Sequence, residues 1–212
     1  LMQEAGERFP WKLVVTYDDS RAKEIYEDFK CFRNSVYLYP SRDLLFYTAD
    51  IHGNLLTKQR LQVLKHLIED DDGVVVTTLD GLMDHLLPLW AVKEQILTVK
   101  TGEAIDVERW KELLVDLGYE RMPQVDGMGQ FSIRGGIIDV FPLTEELPFR
   151  IELWDDEVDS IRTFDLESQR SVEQVEEAVL YPATEQALKR EQLKQGIDRI
   201  KEAGLKQEKL FR

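Results

Sequence analysis

Three short apolar runs limit what this chain can fold into: WKLVVTY at 11–17, SVYLYP at 35–40 and VVVTT at 74–78. The first is rich in β-branched residues, as expected of a strand covered on both faces. Pro40 stops the second. Helical patterns separate the three. Asp18, Asp19 and Ser20 can cap a helix over RAKEIYEDFKCF, where Ala22, Ile25, Tyr26 and Phe29 recur at helical spacing. KQRLQVLKHLIE (58–69) places Leu61, Leu64 and Ile68 on one stripe. The acidic DDDG at 70–73 reads as a solvated turn, and DGLMDHLL as a short helix ended by Pro88. Strand, helix, strand, helix, strand is the rhythm of a parallel α/β sheet, assigned to residues 1–95.

The pattern then changes. ILTVK (96–100) is a strand and TGEAI a turn. A helix follows, with Asp106 as cap, Val107, Trp110, Leu114 and Leu117 as its apolar stripe, and Gly118 just past its end. GQFSIRG, GIIDVFP, PFRIELW, EVDSIRTF and EEAVLYP, broken by Gly, Pro and acidic turns, read as strands. One helix followed by antiparallel strands is an α+β module, placed at 96–180. Residues 181–212 form a helical pattern with a basic excess. Leu193, Ile197 and Ile200 are expected on its buried stripe, Gly196 and Gly204 weaken it, and it reads as the start of a further domain. An opening without methionine, just before a strand, is expected of a piece of a longer protein.

Composition narrows the function. A hydrophobic content of 43% with 32% charged residues is that of a globular chain, and nothing approaches the ~20 apolar residues of a membrane span. The first residues lack a signal peptide's apolar region. The net charge of −14 opposes a duplex DNA surface. The single cysteine, Cys31, excludes an internal disulfide and fits a reducing, cytoplasmic setting; between Phe29 and Phe32 it reads as a small buried hydrophobe. Neither phosphate-binding motif, G-x-x-x-x-G-K-[ST] or G-x-G-x-x-G, is present. His52, His66 and His85 have no partners at metal-ligand spacing, and the carboxylates of WDDEVD read as a hairpin turn. The expectation is a segment with no catalytic residues, no cofactor and no metal.

Strand parity isolates a surface. In PFRIELW, Phe149, Ile151 and Leu153 share one face, and Arg150, Glu152 and Trp154 the other. In GQFSIRG, Phe131 and Ile133 oppose Gln130, Ser132 and Arg134. Two strands thus turn an arginine to the non-core side, and one adds a tryptophan. Arg and Trp are the types most enriched at binding hot spots. Pattern alone leaves two readings: a docking patch, or a Trp154 covered by the 106–117 helix or a neighbouring domain, with the arginines as solvated sheet charges.

The same strands carry a family resemblance. GYER (118–121), FSIRGGIIDVFPL (131–143) and RIELWDDEVDSIRTFDLESQRS (150–171) resemble the domain shared by UvrB and the transcription-repair coupling factors, the Mfd family. GGIIDVFPL and DSIRTFDLESQRS are closer to the coupling factors, and so are VVVTTLDGLMDHLLP and the KQR before a leucine-rich helix. UvrB inserts a tyrosine-rich, DNA-gripping hairpin where YPSRDLLFYTADIHGN (39–54) is short and lacks those tyrosines. The resemblance implies that 1–95 is like UvrB's first domain, with a degenerate P-loop NTPase type of sheet. It implies that 96–180 binds UvrA, the damage-recognition ATPase of nucleotide excision repair. The family's contact positions fall on Arg134, Arg150 and Trp154, the last standing where Phe is more usual. For the full-length family it implies a cytoplasmic ATP-dependent DNA translocase using ATP and Mg. That protein also engages double-stranded DNA and RNA polymerase, and its C-terminal region masks the UvrA site. The rival readings are the N-terminal part of a UvrB-like excision helicase, and direct DNA binding through the basic tail.

Overall fold

The computed structural model describes residues 9–42, 50–84, 86–185 and, in the tail, 194, 196–201 and 204. The order opens β1 (Trp11–Thr16), α1 (Asp19–Lys30), β2 (Val36–Tyr39), α2 (Asp50–Glu69) and β3 (Gly73–Thr78). The three strands form a parallel sheet in the order β1-β3-β2. β3, the run with no polar face, is central and buried along its whole length. Asp18 caps α1, its side chain accepting from the Arg21 amide at 2.7 Å. Ala22 then packs with Val36, Val74 and Val76, flanked by Ile25, Tyr26 and Phe29. Short helices α3 (Leu79–Met83) and α4 (Leu89–Lys93) follow, the second not expected from the sequence.

α2 is apolar on more than the expected stripe, because it is packed on two sides. Val63 and Leu67 face Val75 and Tyr39 of the parallel sheet. Leu61 and Leu64 meet Leu143, Met128 and Ala183 from the second half of the chain. Ile68 is only half-buried. Polar contacts reinforce this junction: Lys65 to Glu145 at 2.7 Å, and the Tyr181 hydroxyl donating to Glu69 at 2.9 Å. Arg60, fully buried, bonds Glu185 at 2.7 Å.

The second half contributes β4 (Leu97–Lys100), α5 (Val107–Asp116), β5 (Glu120–Arg121), β6 (Gln130–Arg134), β7 (Ile137–Phe141), β8 (Phe149–Trp154), β9 (Glu157–Phe164), β10 (Ser171–Val175) and β11 (Glu177–Leu180). A six-stranded sheet runs β10-β9-β8-β7-β6-β5, antiparallel except where β5 joins β6. β11 pairs with β4 apart from it. β5 and β10 escape the sequence pattern because one is two residues long and the other sets two valines among polar residues with none of the five fully buried. One sheet face is core: Phe131, Ile138, Val140, Phe149, Ile151 and Ile161 pack against Trp110 and Leu114 of α5 and against Val99, Ala178 and Leu180. Asp106 caps α5 through the amides of Glu108 and Arg109, and Gly118 (φ 88°) takes the left-handed conformation that ends it.

Three local expectations are corrected. Cys31 is exposed, not buried. At about 100° per residue, position 31 lies some 200° round from Phe29, away from the stripe. Ile197 and Ile200 are 50% and 73% exposed, and no core cluster of the described residues includes them; Leu193 lies outside those residues. The acidic turn is more than solvated, since Asp70 accepts from the Tyr37 hydroxyl and contacts His66 Nδ1 at 3.0 Å, while Asp72 pairs with Arg33 at 2.6 Å. His66 also stacks on Tyr37, with ring centroids 4.3 Å apart. His85 and residues 43–49, on which the short 39–54 segment turns, lie outside the described residues.

Candidate partner-binding surface

The second face of the six-stranded sheet is polar, and register assembles it. Ser132, Asp139, Arg150 and Arg162 lie in one row across β6, β7, β8 and β9. Arg134, Ile137, Glu152 and Ser160 form the next. Trp154 stands one pleat further along β8, opposite Glu157. The irregularity between β8 and β9 leaves Asp159 of β9 unpaired, so alternation along β8 runs unbroken to its end. Leu153 therefore packs on the core and Trp154 projects from the other face, 81% exposed. The covered-tryptophan reading is thereby set aside for this chain.

The two arginines are not equivalent. Arg150 donates from Nε to Asp139 Oδ1 at 2.7 Å and from Nη2 to Asp139 Oδ2 at 3.0 Å, a two-pronged ion pair. It also donates to the backbone and side-chain oxygens of Gln169, both at 3.2 Å. Its guanidinium lies 4.3 Å over the ring of the fully buried Phe164. Its side chain is 15% exposed. The hydrogen bond to Asp139, opposed by desolvation and aided by that carboxylate's charge, holds the guanidinium above its ordinary pKa. Arg134 ends β6 and gives one bond, Nη2 to Asp139 Oδ2 at 2.8 Å, with 46% of its side chain exposed. Two strand spacings of ~4.8 Å separate it from β8, so it sits within roughly 10–12 Å of Trp154.

Local sequence builds both ends of this surface. The turn after Arg134 needs its two glycines: Gly135 has φ 60°, and a Cβ on Gly136 would come within 3.0 Å of the Leu153 carbonyl. The β9–β10 connection is folded by Asp165, which accepts from the Ser168 amide and hydroxyl at 2.8 and 2.6 Å and is held below its ordinary pKa by them. Gln169, in the left-handed region at φ 59°, is thus turned over Arg150. At the outer side Arg162 faces Glu152 at 3.7 Å.

Parity found Arg134, Arg150 and Trp154 but missed Asp139, which is 1% exposed and joins the two arginines. Its signal was available: an acid inside an otherwise apolar strand is buried and must be paired. Gln169 had no such signal, because it reaches the site through a turn. Among the described residues no group of three or more His, Cys, Asp and Glu side chains is placed to hold a metal, and no helix is long and apolar enough to cross a membrane.

Comparison with known proteins bears on this same region. Residues 97–186 match the UvrB interaction domain family. The chain is 35% identical over 193 residues to a transcription-repair-coupling factor of Staphylococcus aureus (strain Mu50 / ATCC 700699), covering 90% of this chain and 16% of that protein. It is 37% identical over 175 residues to that of Staphylococcus haemolyticus (strain JCSC1435), and 34% identical over 189 residues to that of Bacillus subtilis (strain 168). These alignments cover 82% and 88% of this chain, and 15% and 16% of the respective relatives.

Proposed function

We propose that this chain, which belongs to the transcription-repair-coupling factor family and carries a UvrB interaction domain at residues 97–186, docks UvrA and so brings nucleotide excision repair to sites of DNA damage. The observation that carries the reading is one rigid sheet face bearing Arg134, Arg150 and an 81% exposed Trp154. A large aromatic held out in water beside guanidinium groups is the composition of a binding hot spot. In a chain of net charge −14 such a patch suits an acidic group on a protein partner better than it suits DNA. The residue types at these positions are also those that the family resemblance assigns to UvrA contact.

The segment acts as a non-catalytic module, and its parallel α/β half serves as a degenerate nucleotide-binding-type support. ATP-driven translocation on double-stranded DNA and displacement of stalled RNA polymerase belong to the whole protein, of which this chain spans 16% of the length in the relative from Staphylococcus aureus. The C-terminal region of the whole protein covers the patch until polymerase is engaged.

Calorimetric titration of purified UvrA with the wild type, Arg134→Ala, Arg150→Ala and Trp154→Ala tests this. Each substitution is expected to weaken binding by about 2 kcal/mol, some thirtyfold. Trp154→Ala should leave the melting temperature unchanged, since the side chain buries almost nothing within this chain. Substitutions that leave affinity within a factor of two would move the docking site elsewhere.

A further inference from the structure

We propose that Asp139 is a positioning residue for partner binding: it fixes Arg150 as an internal strut and presents Arg134 as the cation that a partner carboxylate takes over. The inference rests on the docking function proposed above and deepens it. Four of the five N–H donors of Arg150 are already given to Asp139 and Gln169. With its flat side over Phe164 and 15% of its side chain exposed, it has little left to grip a second carboxylate. Arg134 is the opposite case. It spends one donor on Asp139, is 46% exposed, and stands at the glycine turn beside the strand that ends in Trp154.

Asp139 is shared unequally. Oδ1 serves Arg150 alone, whereas Oδ2 is divided between Arg150 and Arg134. The two arginines and one aspartate leave the cluster with a net charge of +1, while Arg162 is faced by Glu152. When a partner carboxylate draws Arg134 away, Asp139 keeps its two bonds to Arg150 and is not left unpaired in a buried position. That is what makes the exchange inexpensive, since an orphaned buried carboxylate is strongly unfavourable. Arg150 thus acts on the partner through Asp139 and Arg134.

The test is a double-mutant cycle on UvrA affinity, each variant titrated to a hundredfold above the wild-type Kd. Asp139→Asn keeps the size of the side chain but puts an NH2 where one arginine needs an acceptor. It is expected to weaken binding at least tenfold at a temperature where the variant is folded. In the Arg134→Ala background the same change is expected to cost no more than twofold. A merely structural role would give the same loss in both backgrounds. Arg150→Lys keeps the charge but cannot span both Asp139 oxygens; it should repeat the pattern and carries the test if Asp139→Asn fails to fold. Losses that add in the two backgrounds, or an Asp139→Asn affinity equal to wild type, overturn the inference while leaving the docking function standing. A folded wild type that does not bind UvrA overturns both.

Discussion

Replacing Arg60 by alanine should destabilise this chain by about 3 kcal/mol, a figure worked from the buried pair it forms. Arg60 sits on α2 with no exposed surface, and the side chain of Glu185 is 1% exposed. Nε donates to Glu185 Oε1 at 2.7 Å, Nη1 donates to the Pro40 carbonyl at 2.7 Å, and Asp84 Oδ2 lies 2.8 Å from Nη1. The guanidinium is 4.2 Å above the ring of Tyr39. Burial by itself would lower the pKa of Arg60, but the bond to Glu185 and that carboxylate's charge outweigh it, and the net shift is upward. The guanidinium is therefore held in its charged form, and removing it leaves the buried Glu185 side chain without its 2.7 Å partner. Breaking such a pair costs ~3–5 kcal/mol. Arg42 still reaches Glu185 Oε2 at 3.3 Å from a 42% exposed position, which places the expectation at the lower end. At ~2–4 °C per kcal/mol for a chain of this size, the melting temperature should fall by roughly 6–12 °C. Scanning calorimetry reads the shift, and urea unfolding with an unchanged m-value confirms that the native state is otherwise intact. A companion variant, Arg60→Met with Glu185→Leu, should recover most of the loss, because apolar replacement of a whole buried pair is close to neutral. An Arg60→Ala protein melting within about 2 °C of wild type would refute the reasoning and mean that water or another cation reaches Glu185.

Two further outcomes are expected. Burial, first of all, raises the phenol pKa of Tyr37 (to about 12, helped by the bond to Asp70) and of Tyr39, Tyr119 and Tyr181. The unfolded chain loses these protons near pH 10 and the folded chain later, so stability is full below about pH 10 and falls as pH rises towards 12 and beyond. Phenolate absorbance should show these tyrosines ionising only with loss of far-ultraviolet circular dichroism; a single reversible titration of every tyrosine near pH 10 in a folded protein would contradict it. Cys31, exposed at the end of α1, should react with a thiol reagent in the native state, and Cys31→Ser should change stability by less than ~0.5 kcal/mol; a thiol unreactive until unfolding would show that α1 ends differently.

Periodicity and parity are local rules, and what depends on them was legible in the sequence. The parallel sheet follows from short apolar runs separated by helical spacing. The cap at Asp106 and the stop at Gly118 follow from residue type. The common face of Arg134, Arg150 and Trp154 follows from alternation in strands whose other face is core. What needed the third dimension is whatever joins residues that no period relates. The apolar residues of α2 divide between two partners because a helix lying between a sheet and a second module must satisfy both. Glu185 is buried because a basic residue 125 positions earlier waits for it. Asp139 sits between two arginines five positions before it and eleven after it, and Gln169 returns over Arg150 through a turn. Sequence determined which side chains share a face. Only the packed sheet decided which arginine is locked and which keeps donors to spare, because that depends on who else has claimed the same carboxylate.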